Sequence, residues 1–389
     1  MGKRRNGEGT WGKKTIKGSE YKYFRNSDGK YFYGKTEKEI KQKIKDYIDS
    51  QDKNLISNDQ ILYDYVLCHL KTRRLQLSDT TYDAYEDAVD NMLKNYTIGN
   101  MSISSITERN LRDYVEELSK KYSRASIEKM YKILNPALQY AVEHHHIEKN
   151  YLDNIKIPSE DNVAVKKKTV PFIIEDDLKK LYTESNRINA KGYCYGGKIG
   201  EPTYGSNAKA VMLIAYTGLR VSELKGLKWE NVDIKNKVMH IQNAVVRVKN
   251  HNDNIQTKYS YKMKGTKSKS SERDIPLSNT ALEMIDYFDK LHPNHKDTDL
   301  VVLNKNGKSP IPRNIQTTLD AMLVRSGCSI SHCGMHGLRH SFGAILLCHK
   351  VDIKIVSKLL GHKDITTTYN IYIDFTKEQV SNETLAVLN

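Results

Sequence analysis

Residues 332–374, HCGMHGLRHSFGAILLCHKVDIKIVSKLLGHKDITTTYNIYID, constrain the chain more than any other stretch. Leu338, Phe342, Ile345 and Leu346 recur at helical spacing, so one face of a first helix belongs to a core. His336 and Arg339 fall in its opening turn, where unpaired backbone N–H groups and the helix dipole favour an anion. A second helix turns Ile355, Val356, Leu359 and Leu360 inward and stops at Gly361, a residue type that suits the position past a helix end. His362 projects just beyond it. Three threonines, residues 366–368, open a short third helix on which Tyr369 and Tyr372 lie three apart and nearly share a face. Taken singly, each His or Tyr is ordinarily a core or surface residue. Together they carry more: arginine forks onto phosphate, and a tyrosine aimed at that phosphate can be a nucleophile.

Upstream, NAKAVMLIAYTGLRVSELKGLKWENVDI reads as two helices. Thr217-Gly218 ends the first, and Ser222 with Glu223 suits the start of the second, which puts Arg220 at the corner between them. Residues 237–277 read as strands, with KMKGTKSKSSERDIPL between them.

The order His-x-x-Arg-His, Leu-Gly-His, and Tyr ten residues on resembles the tyrosine recombinases, or lambda-integrase family. TGLRVSEL is a second match, implying that Arg220 is the first catalytic arginine and Glu223 an acidic residue that orients its neighbours. The hairpin resembles the family pattern K-T-K-S-S-x-R-x-I-P. Matching back from Ile275-Pro276 selects Lys267 as the catalytic lysine, with Ser268 where the pattern has Thr; Lys269 and Lys264 remain alternatives. The resemblance implies that Tyr372, by its spacing after Leu-Gly-His, attacks a scissile phosphate to form a 3′-phosphotyrosyl bond. Arg220 and Arg339 would hold the non-bridging oxygens, Lys267 would protonate the leaving 5′-oxygen, His336 would take the tyrosine proton, and His362 would donate to the phosphate. His340 would support them. No cofactor or metal is needed, because the covalent bond conserves the phosphodiester energy.

The rest of the chain fits a nucleic-acid partner. A formal net charge of +15 over 389 residues favours a polyanion, and no apolar run approaches a membrane span. MGKRRNGEG is not a secretory signal, and Asn6 breaks the myristoylation pattern. Five irregularly spaced cysteines suit a reducing cytoplasm. Residues 1–50 hold 14 Lys or Arg against 7 Asp or Glu, a surplus of +7. Short aromatic strands there, a Ser27-Asp28-Gly29 turn and a helix from Glu37 describe a small basic sheet able to lie in a DNA groove. The segment resembles the arm-binding domain of conjugative-transposon integrases, with Lys13, Lys14, Lys22 and Arg25 as candidate contacts.

Residues 51–56 read as a linker and residues 57–154 as a helical bundle. Leu111, Tyr114, Val115 and Leu118, then Ile127, Met130, Tyr131, Leu134 and Leu138, set its inward faces. Arg73 and Arg74 stand among its basic surface residues. Pro158 and the run Lys166, Lys167 and Lys168 mark a second, basic linker able to track phosphates. A catalytic domain, residues 169–389, follows. The expected architecture is therefore multidomain and mainly α with small β-sheets: a sheet-plus-helix arm domain, a helical-bundle core-binding domain that clamps DNA, and a mixed α/β catalytic domain. Two apparent metal sites fail on spacing. Residues 144–146, three adjacent histidines, cannot share one helix face, and Cys328, His332, Cys333, His336 and His340 match no usual zinc pattern.

The family further implies a homotetramer on double-stranded DNA with core and arm sites, helped by a small excisionase and a host DNA-bending protein. It also implies a C-terminal tail that docks on a neighbouring protomer. Two other classes stay open at this stage: a type IB topoisomerase with the same chemistry, and a DNA-binding regulator with an inactive site.

Overall fold

The computed structural model describes all residues except 1–9, 17–18, 26–29, 53–58, 167–169, 191–198, 252–256, 266–271, 372, 374 and 376–389. The chain divides into two compact units, residues 1–167 and 168–389.

The first unit begins with an antiparallel sheet, β1 (Thr10–Ile16), β2 (Ser19–Arg25) and β3 (Tyr31–Gly34). Helix α1 (Glu37–Asp52) follows. It begins where expected and runs two residues into the stretch read as a linker; the expected Ser27-Asp28-Gly29 turn lies outside the described residues. Strand alternation gives the sheet two unlike faces. Phe32 and Ile40 are buried, and a Cβ on Gly34 would sit 2.8 Å from Ile40, so Phe24, Phe32 and Gly34 face α1. The opposite face carries Lys14, Tyr21, Tyr23, Arg25, Tyr31 and Tyr33, with Gly12 beneath the Tyr23 ring.

Helices α2 (Leu62–Thr72), α3 (Asp79–Met92), α4 (Glu108–Ser119) and α5 (Arg124–Glu143) then form the bundle. The expected inward positions are its core except one: Leu111, Tyr114, Val115, Leu118, Ile127, Met130, Leu134 and Leu138 are buried, while Tyr131 is only partly buried at the edge of the core. Thr107 caps α4 reciprocally with Asn110, satisfying two backbone donors that the helix itself leaves open. The stretch read as a second linker is partly structural. Ile155 and Val163 join the bundle core, and Ala164 N–H donates to Ser119 C=O at 2.8 Å.

The second unit is built around α7 (Gly205–Thr217), whose residues 208–215 are all buried. A helix apolar on every side has to be enclosed, and α6 (Glu175–Ser185), α9 (Asn279–Leu291), α10 (Pro312–Arg325) and α11 (Met335–Cys348) pack on it. The short α8 (Val221–Gly226) follows α7. Strands β4 (Val232–Asp233), β5 (Val238–Ile241) and β8 (Arg273–Pro276) form one antiparallel sheet in that order. Strands β6 (Asn243–Lys249) and β7 (Tyr259–Gly265) form a separate ribbon. Helix α12 (Ile353–Leu360) ends the regular core, and residues 365–371 are again helical. One inward expectation fails on α12: Ile355 is 54% exposed, while Val356 and Leu360 are buried. An eight-residue helix that packs through one stripe turns the residue preceding Val356 outward.

One glycine tests the bundle packing. A Cβ on Gly99 would lie 2.1 Å from the Leu93 carbonyl oxygen, against backbone that cannot give way. Gly99→Ala is expected to destabilise the first unit by about 3 kcal/mol, read as a lower urea midpoint at unchanged m. An unchanged midpoint would show that this turn has slack.

Candidate active site

The site begins where α7 stops. Gly218, at φ +65°, closes that helix, and a Cβ there would strike the Phe342 ring at 2.6 Å, so both conformation and contact call for glycine. Arg220 is the N-cap of α8, a position the sequence suggested only loosely. Its backbone N–H donates to Glu223 Oε2 at 2.9 Å, and its Nη1 donates to Glu223 Oε1 at 2.6 Å. Its Nη2 donates to the Gly361 carbonyl at 3.1 Å. The Arg220 side chain keeps 30% exposure, whereas Glu223 keeps 3%.

Two more guanidiniums close on the same carboxylate. Arg273 of β8 forks onto it, Nη1 to Oε1 at 3.0 Å and Nη2 to Oε2 at 2.8 Å, and its Nε donates to the Leu359 carbonyl at 2.6 Å. Arg339 lies 3.8 Å from Glu223 and donates to the Gly218 carbonyl at 2.6 Å and to the Leu360 carbonyl. The accepting carbonyls cluster at the C-terminal ends of α7 and α12, where carbonyls lack helical partners and the dipole favours cations. Gly361, at φ +61°, ends α12 beside the Arg273 guanidinium; a Cβ there would come within 3.1 Å of it. Sequence reasoning missed Arg273, although the pattern K-T-K-S-S-x-R-x-I-P contained it.

Three guanidiniums on one carboxylate leave a surplus of two positive charges. Burial alone would push the Glu223 carboxyl up, but the Arg273 hydrogen bonds and charge, with the Arg220 backbone N–H and charge, hold it at about 2. The histidines respond to the same field. Burial first, then Arg339 and Arg220, lower the His336 pKa against a small opposing pull from Glu223. Burial and the charges of Arg339, Arg220, His340 and Arg273 hold His362 at about 3. Both imidazoles are therefore neutral at pH 7, able to accept or donate a proton. His336 and His340 stack with ring centroids 6.2 Å apart on α11, and His362 Nδ1 pairs with the buried Thr368 hydroxyl at 2.9 Å. Among the described residues no cluster of three or more His, Cys, Asp or Glu could hold a metal.

The helix beyond His362 is anchored by Thr368, Ile371 and Phe375, and Phe375 packs edge-on against Phe172 at 5.3 Å. Tyr369 on that helix is 54% exposed. Tyr372, Lys267 and Lys269 lie outside the described residues. Lys264 sits on β7 opposite Ala244.

The expected DNA contacts separate by surroundings. Lys14 and Arg25 lie exposed on the open sheet face, with Arg25 over the Tyr31 ring at 5.4 Å. Lys13 and Lys22 alternate to the α1 side, and Lys22 pairs with Glu37 at 3.1 Å. Arg73 lines a groove on the bundle with Tyr85, Tyr131 and Lys132. Arg74 is engaged structurally, pairing with Asp79 at 2.8 Å and lying over the Tyr82 ring. Lys166 donates to the Glu160 and Asp161 carbonyls, both at 2.8 Å. Lys167 and Lys168 lie outside the described residues.

A carboxyl held at about 2 against an ordinary 4.5 adds stability that is complete above pH 4.5 and is lost as pH falls toward 2. Glu223→Gln is expected to destabilise the second unit by about 3–5 kcal/mol at neutral pH, because it strands buried guanidiniums. The variant is also expected to lose that acid-dependent slope, on the order of 3 kcal/mol, in denaturant melts taken across the window. An unchanged slope would mean that Glu223 does not titrate there.

Comparison with known proteins reaches into both units. Residues 171–379 match the phage integrase family model, and residues 61–157 match the phage integrase SAM-like domain. A tyrosine recombinase XerC-like protein of Caldanaerobacter subterraneus subsp. tengcongensis is 28% identical over 372 residues, covering 91% of this chain and 90% of that protein. The Tn1549 transposon integrase, solved in complex with transposon right end DNA, shares the fold with a TM-score of 0.64 at 18% identity, over 84% of this chain and all of that one. A lambda integrase tetramer bound to a Holliday junction gives a TM-score of 0.55 at 16% identity, over 95% of this chain and 96% of that one. With more than half its length matched, the chain belongs to the phage integrase family and is a site-specific tyrosine recombinase of the lambda-integrase type.

Proposed function

We propose that this recombinase cuts and rejoins DNA through Tyr372, in a homotetramer bound to two double-stranded sites. The observation that carries the reading is the cluster on Glu223: three guanidiniums, one carboxylate, and a surplus of two charges beside two neutral histidines. A phosphodiester is a suitable guest, because its single charge rises to two in the pentavalent transition state.

The steps balance without a cofactor. The Tyr372 oxygen attacks phosphorus and gives its proton to neutral His336. A 3′-phosphotyrosyl bond forms as the bond to the 5′-oxygen breaks, and Lys267 supplies the proton that oxygen needs. Arg220, partly exposed, takes a non-bridging oxygen directly. Arg339, 2% exposed with its Nη atoms on the Gly218 and Leu360 carbonyls, adds its charge to the field on the second oxygen. Preorganised contacts of this kind contribute ~3–4 kcal/mol each. His362, steadied by Thr368, donates to the phosphate. Attack by the freed 5′-hydroxyl of a partner strand reverses the sequence and reseals the DNA.

The open face of the N-terminal sheet is assigned to a second, arm-type DNA sequence, through Lys14, Arg25 and their tyrosines. Residues 1–50, 57–154 and 169–389 then act as arm, core-binding and catalytic parts. An excisionase and a host DNA-bending protein are accessory partners for choosing direction, and the C-terminal tail is assigned to a neighbouring protomer.

The nucleophile is tested by incubating the full chain with nicked duplexes carrying randomised sequence and capturing covalent adducts. Tyr372→Phe is expected to abolish adducts with DNA binding nearly intact, and the peptide linked in the unsubstituted chain should contain Tyr372. Adducts that survive in Tyr372→Phe and vanish in Tyr369→Phe would reverse the assignment.

The arm assignment has its own test on the recovered DNA. Deleting residues 1–50 should leave core-site cleavage and weaken binding to a distal sequence. Lys14→Ala and Arg25→Ala should each lower the salt dependence of that binding by about one unit, and Lys22→Ala by much less. Equal loss of core cleavage and distal binding on deletion would mean that the segment is no separate arm.

A further inference from the structure

We propose that Arg273 is a positioning residue of the recombination reaction, setting Arg220 and the His362 segment in one register by gripping Glu223 and the end of α12. The proposal rests on the phosphate-site reading above and assigns a role to a residue outside the expected catalytic set.

Arg273 cannot act by touching DNA, because its side chain is 1% exposed. Its contacts run to three different parts of the site. Both Nη atoms take the two Glu223 oxygens, and Nε takes the Leu359 carbonyl. Its backbone belongs to β8, pairing with Ile241 of β5 just after residues 266–271, the segment that includes Lys267. The Glu223 oxygens so fixed are those that hold Arg220, and the Gly361 carbonyl that takes Arg220 Nη2 lies two residues past the Leu359 carbonyl held by Arg273. Arg273 thus ties strand β8, the α8 corner and the α12 terminus through one planar group. His362 follows Gly361 directly, so the tether on Leu359 also sets where that imidazole stands.

A lysine cannot substitute. One ammonium can reach one oxygen well, but it cannot span two carboxylate oxygens and a carbonyl in a single plane. Without the fork, Glu223 has two routes. It can turn fully onto Arg220 and draw it out of the cleft, or, being buried, it can take up a proton and release Arg220. The charged and titratable groups facing it are Arg220 from α8, Arg273 from β8, and Arg339 and His336 from α11, with His362 beyond α12. Loss of Arg273 removes the strongest of these restraints. Gly361 gives an independent handle, because any Cβ there presses on the Arg273 guanidinium while every charge stays in place.

The test uses the full chain and the duplex recovered by adduct capture. Arg273→Lys is expected to keep its melting transition and its affinity for the duplex within ~3-fold, and to form the covalent adduct ~100-fold more slowly. Its adduct rate should also fall away at a higher pH than in the unsubstituted chain, as the unforked carboxylate takes up a proton. In Arg273→Lys with Glu223→Gln that shifted limb should vanish, and the rate should be no lower than in the slower single variant, because the two residues act as a unit. Gly361→Ala should slow adduct formation at near-normal affinity, and so should Gly361→Asn, which tolerates the φ of +61° yet still sets a Cβ against the Arg273 guanidinium; that pair decides the matter if Arg273→Lys does not fold. A purely structural role predicts loss of melting temperature, affinity and rate together with no shifted limb, and that pattern overturns the proposal. So does Gly361→Ala with unchanged rate. Failure of the unsubstituted chain to form any adduct would count against the Tyr372 reading instead.

Discussion

A single buried carboxylate organises the second unit. Glu223 would be costly to bury alone, and so would each of Arg220, Arg273 and Arg339. Brought together they satisfy one another only in part, since one negative charge cannot cancel three positive ones. The remaining donors fall on carbonyls at the ends of α7 and α12, groups that helices leave open by their own geometry. The fold thus sets an uncancelled positive field among these side chains. The histidines are tuned by the same field, which with their burial keeps His336 and His362 neutral at pH 7.

Much of this site was legible in the sequence because its parts lie on short local signals. The Thr217-Gly218 stop, the 220–223 corner and the Gly361 stop are each decided within a few residues, and all occur where expected. Arg273 was not legible, for a physical reason. Its importance comes from meeting Glu223 and Leu359, 50 and 86 residues away, and nothing in a strand ending Arg-Asp-Ile-Pro announces a partner that distant. The resemblance pointed instead to the lysines before it, Lys264, Lys267 and Lys269, as candidates for the catalytic lysine. Ile355 failed for a related reason: spacing alone shows that a helix has an apolar stripe, while only its neighbours decide how wide the stripe is.

In the first unit the inward faces of α4 and α5 were readable from periodicity alone. The two faces of the N-terminal sheet were not. Both carry aromatics and lysines, so composition could not say which face α1 covers. Register decided it, by setting Phe24 beside Phe32 and Tyr23 beside Tyr33. Likewise the polar run after residue 155 looked like free linker, because two apolar residues, Ile155 and Val163, are too sparse to show a period although both reach the core.

The use of carbonyls as ligands has a consequence for how such an enzyme diverges. A charge held by a side chain depends on that residue's identity, whereas a charge held by the main chain depends only on a helix ending at the right place. At Leu359 and Leu360 the arginines contact carbonyl oxygen and make no demand on the side chain through that bond. Among the described glycines, only Gly218 and Gly361 are pinned by both conformation and contact. A site built this way can let most of its surrounding letters drift while its electrostatics stay put, which is compatible with folds that superpose over most of their length at 16–18% identity.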